Sequence, residues 1–325
     1  MKKILASLLA LLGLGIAGIG HAYQPGYQPV YQPGATQVVD NVYAIVGPTT
    51  ERTVENNALN NNLGFVVTDT GVVLIDSGAS RLGAEQIEAA VAAVTEKPIT
   101  HVINTGSQDH RWLGNGYFAD QGAQIIALER TVETQKRFAE QHVARLEGVL
   151  GERFAGTQPV YATSPAAGER LNPEVGGTDF EIIWFGDAHF PGDVVVWLPE
   201  QKAIFTGDLV YVDRMLGIHP WSDVTSWRAA FHAMEALAME ALEPVYLIPG
   251  HGQVTNLAQA RAETGDYLDF LVTKIRAAVE DFEGLQATMD RLSEAPRFSH
   301  LQHFDDWHRT NISRVFTQLE AELMQ

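Results

Sequence analysis

The chain has 325 residues, 46% of them hydrophobic and 19% charged, so its composition is that of a globular protein and excludes disorder over the whole length. With 40 acidic and 22 basic side chains the formal net charge is −18, and such a surface repels phosphate backbones, so we expect no nucleic-acid partner. Cysteine is absent, which excludes disulfides, thiolate metal sites and cysteine nucleophiles.

The first 22 residues have the pattern of a secretory signal. Lys2 and Lys3 precede an apolar run over residues 4–20, and the small residues Gly20 and Ala22 follow at the positions that a signal peptidase reads. We therefore expect cleavage after Ala22, a periplasmic location and no stable membrane insertion of the mature chain. An uncleaved anchor helix is the alternative.

Residues 23–36 contain a short repeat, in which Tyr-Gln-Pro occurs three times, starting at Tyr23, Tyr27 and Tyr31. Prolines spaced four residues apart forbid a helix and favour an extended, polyproline-like conformation. This tail is interpreted either as a spacer or as a segment that docks a partner.

From residue 37 onward, short β-branched runs alternate with amphipathic helical stretches. Strands are predicted at 38–46, 64–68, 72–76, 100–104, 124–127, 180–184, 194–198, 203–206 and 245–248, and helices at 84–94, 129–150, 225–242 and 258–280. Two strand-rich halves, each flanked by helices, predict a layered α/β fold of the αββα type. We expect one domain over residues 37–280, with residues 281–325 forming a helical C-terminal tail packed on it.

Histidine and aspartate recur in loops that follow the predicted strands, at 76–78, 104–115, 189–193, 206–209 and 248–252. Because strand ends meet at one edge of a sheet, side chains from distant parts of the chain converge there. Imidazole and carboxylate groups are the ligands that Zn²⁺ and Fe²⁺ prefer.

Taken together and in order, these motifs resemble those of the metallo-β-lactamase superfamily over about residues 38–260. The resemblance lies in Ile-Asp-Ser-Gly at 75–78, His-x-Pro-Gly-Asp at 189–193, Thr-Gly-Asp at 206–208 and Gly-His-Gly at 250–252. It implies an αββα sandwich with a metal-dependent hydrolytic site at one rim.

The family's first metal motif, His-x-His-x-Asp-His, is altered in this chain. Aligned without gaps, Gly106 and Gln108 stand at the first two histidine positions, His110 at the aspartate position and Arg111 at the last histidine position. A register shifted by one residue would instead match Asp109 and His110 to the Asp-His pair. Glycine supplies no ligand, and a guanidinium neither ligates nor tolerates a second cation beside it. We therefore expect one metal ion rather than two.

The resemblance, corrected for this change, implies a particular set of site residues. The expected metal ligands are His110, His189, Asp208 and His251, with Gln108 as a weak neutral ligand, and the expected ion is Zn²⁺, with Fe²⁺ as the alternative. Asp109 or Asp208 is expected to orient or deprotonate the reacting water. Arg111 is expected either to pair with a substrate carboxylate or phosphate or to form a salt bridge to Asp109 or Asp76, and His219 and Trp221 are expected to contact substrate.

The main functional hypothesis is a periplasmic hydrolase that uses a metal-activated water on an ester, thioester, lactam or phosphoester-like bond of a small molecule. A non-catalytic relative that binds a ligand or partner is the first alternative. A mono-iron enzyme acting on sulfur or oxygen species is the second, since the resemblance includes superfamily members that do this with His and Asp ligands. Within the superfamily, residues 207–214 and 311–320 are similar to exported hydrolases associated with sulfur-oxidation and quinoprotein systems. The sequence leaves the oligomeric state open.

Overall fold

The computed structural model describes residues 31–241 and 244–324. The predicted signal peptide at 1–22 and the first two Tyr-Gln-Pro units therefore lie outside the described residues. In the third unit, the hydroxyl of Tyr31 donates a hydrogen bond to the carbonyl of Val46 at 2.9 Å. A strand begins at Ala35, inside the segment predicted to be a tail.

Six strands form the first sheet in the order β1-β2-β3-β4-β5-β6. The first four pair antiparallel, and β4, β5 and β6 are parallel. Their bounds are Ala35–Val39 (β1), Val42–Ile45 (β2), Leu63–Val67 (β3), Val72–Ile75 (β4), Ile99–Ile103 (β5) and Gln124–Ile126 (β6).

The second sheet has the order β13-β12-β11-β10-β7, and only its β12–β13 pair is parallel. The remaining strands, β8 and β9, form a separate antiparallel pair. The bounds are Arg170–Leu171 (β7), Glu174–Val175 (β8), Thr178–Asp179 (β9), Glu181–Ile183 (β10), Val195–Leu198 (β11), Ala203–Tyr211 (β12) and Tyr246–His251 (β13).

The helices cover the outer faces of both sheets. They are Arg81–Ala92 (α1), Asp109–Trp112 (α2), Asn115–Asp120 (α3), Glu129–Leu150 (α4), Val224–Glu240 (α5), Leu257–Ala260 (α6), Asp266–Glu280 (α7), Leu285–Leu292 (α8) and Phe304–Leu323 (α9), with a 3₁₀ turn at Gly151–Phe154 and a π turn at Arg261–Gly265.

Successive side chains along a strand point to opposite faces of its sheet, and this alternation separates the core layers. In β2, Val42 and Ala44 face a core shared by both sheets, whereas Ile45 faces the core beneath α1. The shared core receives Val196 and Phe205 from the second sheet. This is the αββα sandwich that the sequence predicts, so the predicted fold class is confirmed.

Three predicted elements differ in detail from the structure. The run at 38–46 is a hairpin rather than one strand, because the chain turns through Asn41, whose φ is 64°. The single helix predicted at 258–280 is α6 and α7 joined by the π turn. The short helix α2 lies in the stretch 104–115 interpreted as a loop, and α3 begins at the end of that stretch; four to six residues are too few to show helical periodicity.

The C-terminal helices share their core with the second sheet. Ile312, Val315 and Leu319 of α9 are fully buried in the same cluster as Trp227 of α5. Asn311 of α9 accepts a hydrogen bond from the amide of Ile218 and donates one to the carbonyl of Leu216, each at 2.8 Å. The tail therefore holds the segment that follows β12. No helix within the described ranges is both long and apolar enough to cross a membrane.

Candidate metal centre

Strand ends from both sheets meet at one rim of the sandwich. In the first sheet, Asp76 follows β4 and accepts hydrogen bonds from the amide and hydroxyl of Thr105, which follows β5, at 2.7 and 2.6 Å. In the second sheet, β12 carries Asp208 and β13 ends at His251. Helix α2 adds His110 between them.

Three buried side chains offer metal-binding atoms close together: His110, Asp208 and His251, whose ligand atoms all lie within 4.8 Å of one another. The Nε2 atom of His110 is 3.1 Å from one oxygen of Asp208, and Nε2 of His251 is 3.3 Å from the other. The structure thus brings together three of the four principal ligands predicted from the sequence.

The hydrogen bond at Nδ1 of His251 fixes the tautomer of this residue. Its Nδ1 lies 2.9 Å from the carbonyl oxygen of Asn60, so Nδ1 carries the hydrogen and Nε2 presents its lone pair to Asp208. A lone pair facing a carboxylate oxygen is unfavourable unless a cation lies between them. The donor chemistry of this group therefore fits a metal ion.

Burial keeps the site histidines neutral, which is the form that ligates metal. Loss of solvent lowers the pKa of His251 and of His189 to about 3, and it also lowers the pKa of His110, with Arg52 adding to the effect. Burial alone would raise the pKa of Asp208, but Arg111 and His110 hold it well below its usual value. Asp208 is therefore a carboxylate at neutral pH.

Arg111 is not placed to bind substrate, and this corrects the first of its two predicted roles. Its side chain is 1% exposed, and its guanidinium donates to Asp208 at 2.6 Å and to Asp76 at 3.0 Å. The carbonyl oxygens of Asn62 and Gly250 accept further hydrogen bonds from it. The salt bridge to Asp76 is the alternative that the sequence analysis had left open.

Asp109 also differs from its predicted catalytic role. Its carboxylate lies between Arg52 at 3.0 Å and Arg145 at 2.8 Å, outside the group of three donors. It approaches Nδ1 of His110 at 3.4 Å. Its Oδ1 accepts a hydrogen bond from the backbone amide of His110 at 2.8 Å, so it helps to position His110. Because it is fully buried and paired with two arginines, it does not reach a substrate.

His189 and Gln108 lie at the same cleft but outside the group of three donors. Nε2 of His189 is 3.3 Å from Oε1 of Gln108, and its Nδ1 is 3.0 Å from the carbonyl of Gly217. Both residues had been predicted as ligands. In this geometry Nε2 of His189 faces the side chain of Gln108 rather than the three donors.

His219 stands next to His189, with ring centroids 5.0 Å apart, and stacks on Trp221 at 5.1 Å. His219 lines the cleft, whereas Trp221, which had also been expected to contact substrate, stacks on His219 and is not among the lining residues. Burial lowers the pKa of His219 to about 2, so His219 is an uncharged part of the cleft wall.

The cleft also contains residues that the sequence analysis missed. It has a volume of about 40 Å³, and its lining comprises Glu51, Arg52, Asn60, Gln108, His110, His189, Tyr211, Arg214, Gly217, His219 and His251. Tyr211 stacks on His251 with ring centroids 4.7 Å apart. Tyr211 and Arg214 follow Asp208 within a few residues, which was the available signal. Glu51, Arg52 and Asn60 lie in an irregular loop that carries no periodic signal.

Comparison with known proteins agrees with this architecture. The family model of the metallo-β-lactamase superfamily matches residues 56–251, more than half of the chain. The chain belongs to this superfamily, whose fold is that of metal-dependent hydrolases.

Individual relatives are distant. The chain is 30% identical to the 2,4-dinitroanisole O-demethylase subunit alpha of a Nocardioides species over 161 residues, which cover 49% of this chain and 44% of that subunit. It is 24% identical over 253 residues to the type 2 metallo-β-lactamase of Elizabethkingia meningoseptica, covering 77% of this chain and 89% of the relative. It thus spans less than half of the demethylase subunit.

Solved structures share the fold. A metallo-β-lactamase from Pontibacter korlensis superposes with a TM-score of 0.57 at 22% identity, covering 73% of this chain and 99% of the other. The DIM-1 metallo-β-lactamase gives a TM-score of 0.56 at 18% identity, covering 74% of this chain and 98% of the other.

Proposed function

We propose that this protein is a metal-dependent hydrolase of small molecules with one metal ion, held by His110, Asp208 and His251. The observation that carries the proposal is the buried group of these three side chains at the floor of a cleft. Two imidazoles and one carboxylate leave an open coordination position, as in catalytic zinc sites. Zn²⁺ is the proposed ion, and the same donors suit Fe²⁺.

When bound, such an ion supplies a Lewis acid that polarises a carbonyl or phosphoryl oxygen and acidifies water. The chain's own residues set the charge and the orientation of the groups around the ion. Arg111 keeps Asp208 ionised, and Asn60 fixes the tautomer of His251. The neutral Nε2 of His189 and the amide of Gln108 face the cleft from the other side, where they orient a polar group of the substrate.

The cleft is small and open to solvent on one side, so only the reacting group of a substrate lies inside it. We propose an ester, thioester, lactam or phosphoester-like bond. The signal-like pattern at 1–22 supports export to the periplasm.

A ligand-binding relative without catalysis is the second candidate, because the site has lost part of its family's motif. A Cβ atom at Gly106 would lie 2.8 Å from the Oδ1 atom of Asp193, so the Asp193 carboxylate lies where a side chain at this position would begin.

Metal analysis tests the proposal directly. We expect His110→Ala and His251→Ala to lose bound metal, and His189→Ala to keep most of it while losing hydrolysis of the ester, thioester, lactam and phosphoester panel. His300→Ala, an exposed histidine away from the cleft, is the matched control.

The possible results separate the candidates. If His189→Ala lost as much metal as His251→Ala, the three-donor site would be wrong and the four-ligand set correct. Bound metal without hydrolysis of any substrate would favour the binding protein. Bound iron with oxygen consumption would favour the redox enzyme.

A further inference from the structure

We propose that Arg52 controls the metal affinity of the site by fixing the tautomer of His110. Arg52 places the ring hydrogen of His110 on Nε2, the nitrogen that faces the other two metal-binding side chains. Metal binding then requires Arg52 to withdraw, so that the hydrogen is carried by Nδ1 instead and Asp109 accepts it. The tautomer follows from the geometry alone, whereas its effect on metal affinity rests on the proposed function.

Arg52 reaches His110 from the loop between β2 and β3, and its side chain is 13% exposed. Its Nη2 atom contacts Nδ1 of His110. Because a guanidinium has only hydrogen-bond donors, Nδ1 of the neutral imidazole accepts this bond and carries no hydrogen. The hydrogen of the ring is therefore on Nε2, which donates it to Asp208 at 3.1 Å.

This tautomer of His110 is the opposite of the one that binds metal through Nε2. A neutral imidazole binds an ion through the nitrogen that carries no hydrogen. His251 already has its hydrogen on Nδ1, which donates to the carbonyl of Asn60, and the lone pair of its Nε2 is free. Of the two imidazoles in the group of three donors, one is therefore ready to bind metal and the other is not.

Asp109 is the acceptor that would hold His110 in the metal-binding tautomer. Its Oδ1 lies 3.4 Å from Nδ1 of His110, but two nearer donors already use this oxygen. They are the backbone amide of His110 at 2.8 Å and Nη2 of Arg52 at 3.0 Å. Once Arg52 leaves, Nδ1–H of His110 can take its place, and a carboxylate that accepts from Nδ1–H leaves Nε2 free for metal.

The position of Arg52 makes its withdrawal inexpensive. Its Nε–H is buried and has no hydrogen-bond partner among the described residues, so a move toward solvent restores a hydrogen bond to water. Asp109 meanwhile keeps Arg145, whose Nη2 is 2.8 Å from its other oxygen. Withdrawal also takes a positive charge away from the imidazole that holds the ion, which favours a cation there.

Nitrogen chemical shifts of the His110 ring, measured by NMR on the metal-free protein, test the tautomer directly. His110→Gln identifies the signals of this ring. We expect the wild type to show hydrogen on Nε2, and Arg52→Met, which has no donor, to show it on Nδ1. The ring of His251 does not contact Arg52 and is the internal reference, with hydrogen on Nδ1 in both proteins.

Either of two NMR results would overturn the proposal. One is hydrogen on Nδ1 of His110 in the wild type, and this result does not depend on the folding of any variant. The other is hydrogen on Nε2 in Arg52→Met as well as in the wild type, which would show that Arg52 does not set the tautomer.

Titration of Zn²⁺ against a chromophoric chelator tests the effect on metal affinity. We expect Arg52→Met to bind Zn²⁺ roughly tenfold more tightly than the wild type, a size typical of groups that orient a metal-binding histidine. Arg145→Met is the matched control, because it removes an equal charge from Asp109 but leaves the contact between Arg52 and His110 in place. We expect it to change the affinity much less, and equal tightening by both variants would show that charge alone is responsible.

The two measurements together separate this inference from the proposed function. If neither the wild type nor Arg52→Met bound Zn²⁺ while the tautomer changed as expected, the metal site would be refuted and the control of His110 by Arg52 would stand. If the tautomer changed and Arg52→Met bound Zn²⁺ no more tightly than the wild type, the effect of Arg52 on metal affinity would be refuted.

Discussion

The carboxylate of Asp208 has two roles: it is a proposed metal ligand, and it pairs with the buried Arg111. It faces the Nε2 atoms of His110 and His251, and the same two oxygens accept hydrogen bonds from Arg111. The guanidinium keeps the carboxylate ionised, which helps it bind metal, and the carboxylate in turn compensates a buried cation. Metal binding and folding are therefore coupled at this residue.

Replacing this carboxylate tests both roles. We expect Asp208→Asn to lose bound metal and to lower the free energy of unfolding by about 3 kcal/mol, because among the described residues Arg111 keeps a single anionic partner, Asp76. Metal content by mass spectrometry and urea unfolding measure the two effects.

Asp193 provides the control for that substitution. It is also buried, but burial and the nearby Asp208 raise its pKa well above the usual value, so its surroundings disfavour the charged form. Its Oδ2 accepts a hydrogen bond from the amide of Phe190, which an asparagine oxygen also accepts. We expect Asp193→Asn to change stability by less than about 1 kcal/mol. A loss as large as that of Asp208→Asn would show that general polarity of the rim, not the ion pair, is responsible.

Single residues also show where sequence reasoning reached its limit. The convergence of His110, Asp208 and His251 was predictable because these residues lie in the motifs that resemble the metal motifs of the family, and their residue types suit a metal ion. The roles of Asp109 and Arg111 were not, because each depends on which neighbour a side chain faces. A buried charge pairs with a residue that the fold brings close to it. Arg111 pairs with Asp76 and Asp109 with Arg145, and the two members of each pair lie more than thirty residues apart in the chain.

At the scale of elements, the site depends on how closely β12 and β13 approach. A Cβ atom on Gly250 would lie 2.4 Å from the carbonyl oxygen of Gly207 and 2.7 Å from both Asp208 and Arg111. Only glycine allows β13 to pass this close to the ion pair. The Gly-His-Gly motif is thus explained by packing as well as by its histidine.

Gly250→Ala should therefore push the two strands apart. We expect it to destabilise the protein by about 2–4 kcal/mol and to weaken metal binding, because both Asp208 and His251 move. Gly148→Ala is the matched control, since nothing lies within 4 Å of its Cβ position in α4, and there alanine should stabilise the helix by about 0.5–1 kcal/mol. Urea unfolding and zinc titration compare the two variants, and equal effects would contradict the close-approach explanation.

Long periodic elements were the most predictable ones. The helix predicted at 129–150 has the bounds of α4, because 22 residues give several turns of consistent periodicity. The loop between β2 and β3 has no period to detect, yet it supplies Glu51, Arg52 and Asn60 to the cleft. Its conformation depends on tertiary contacts, such as the hydrogen bonds from the Asn62 amide group to the carbonyls of Pro249 and Gly252.

At the scale of the whole molecule, both sheets and the C-terminal helices meet in the site. The first sheet contributes Asp76, the second contributes Asp208 and His251, and α9 holds the segment that carries Gly217 and His219 through Asn311. Gly217 in turn accepts the hydrogen bond from His189. Folding of both sheets and of α9 is therefore needed to assemble the cleft, and the stability of the folded protein reports on the state of the cleft.

The buried histidines make that stability depend on pH. Burial lowers the pKa of His189 and His251 to about 3, of His219 to about 2 and of His142 to about 4, whereas each has a value near 6.5 in the unfolded chain. Because the folded values are depressed, the stability they contribute is fully present above pH 6.5. It is lost as the pH falls, since the unfolded chain takes up protons that the native state refuses.

We expect the free energy of unfolding of the metal-free protein to fall between pH 7.5 and 5.5, by up to about 1.4 kcal/mol for each of these histidines. The contribution of His142 to this pH dependence can be measured separately, because His142 lies outside the donor group and its Nδ1 is buried without a partner among the described residues. His142→Leu should therefore reduce the pH dependence by about one histidine's share while leaving metal binding intact. Urea unfolding at pH 7.5, 6.5 and 5.5 measures both slopes, and a free energy that stayed constant or rose toward pH 5.5 would show that these imidazoles reach solvent in the folded protein.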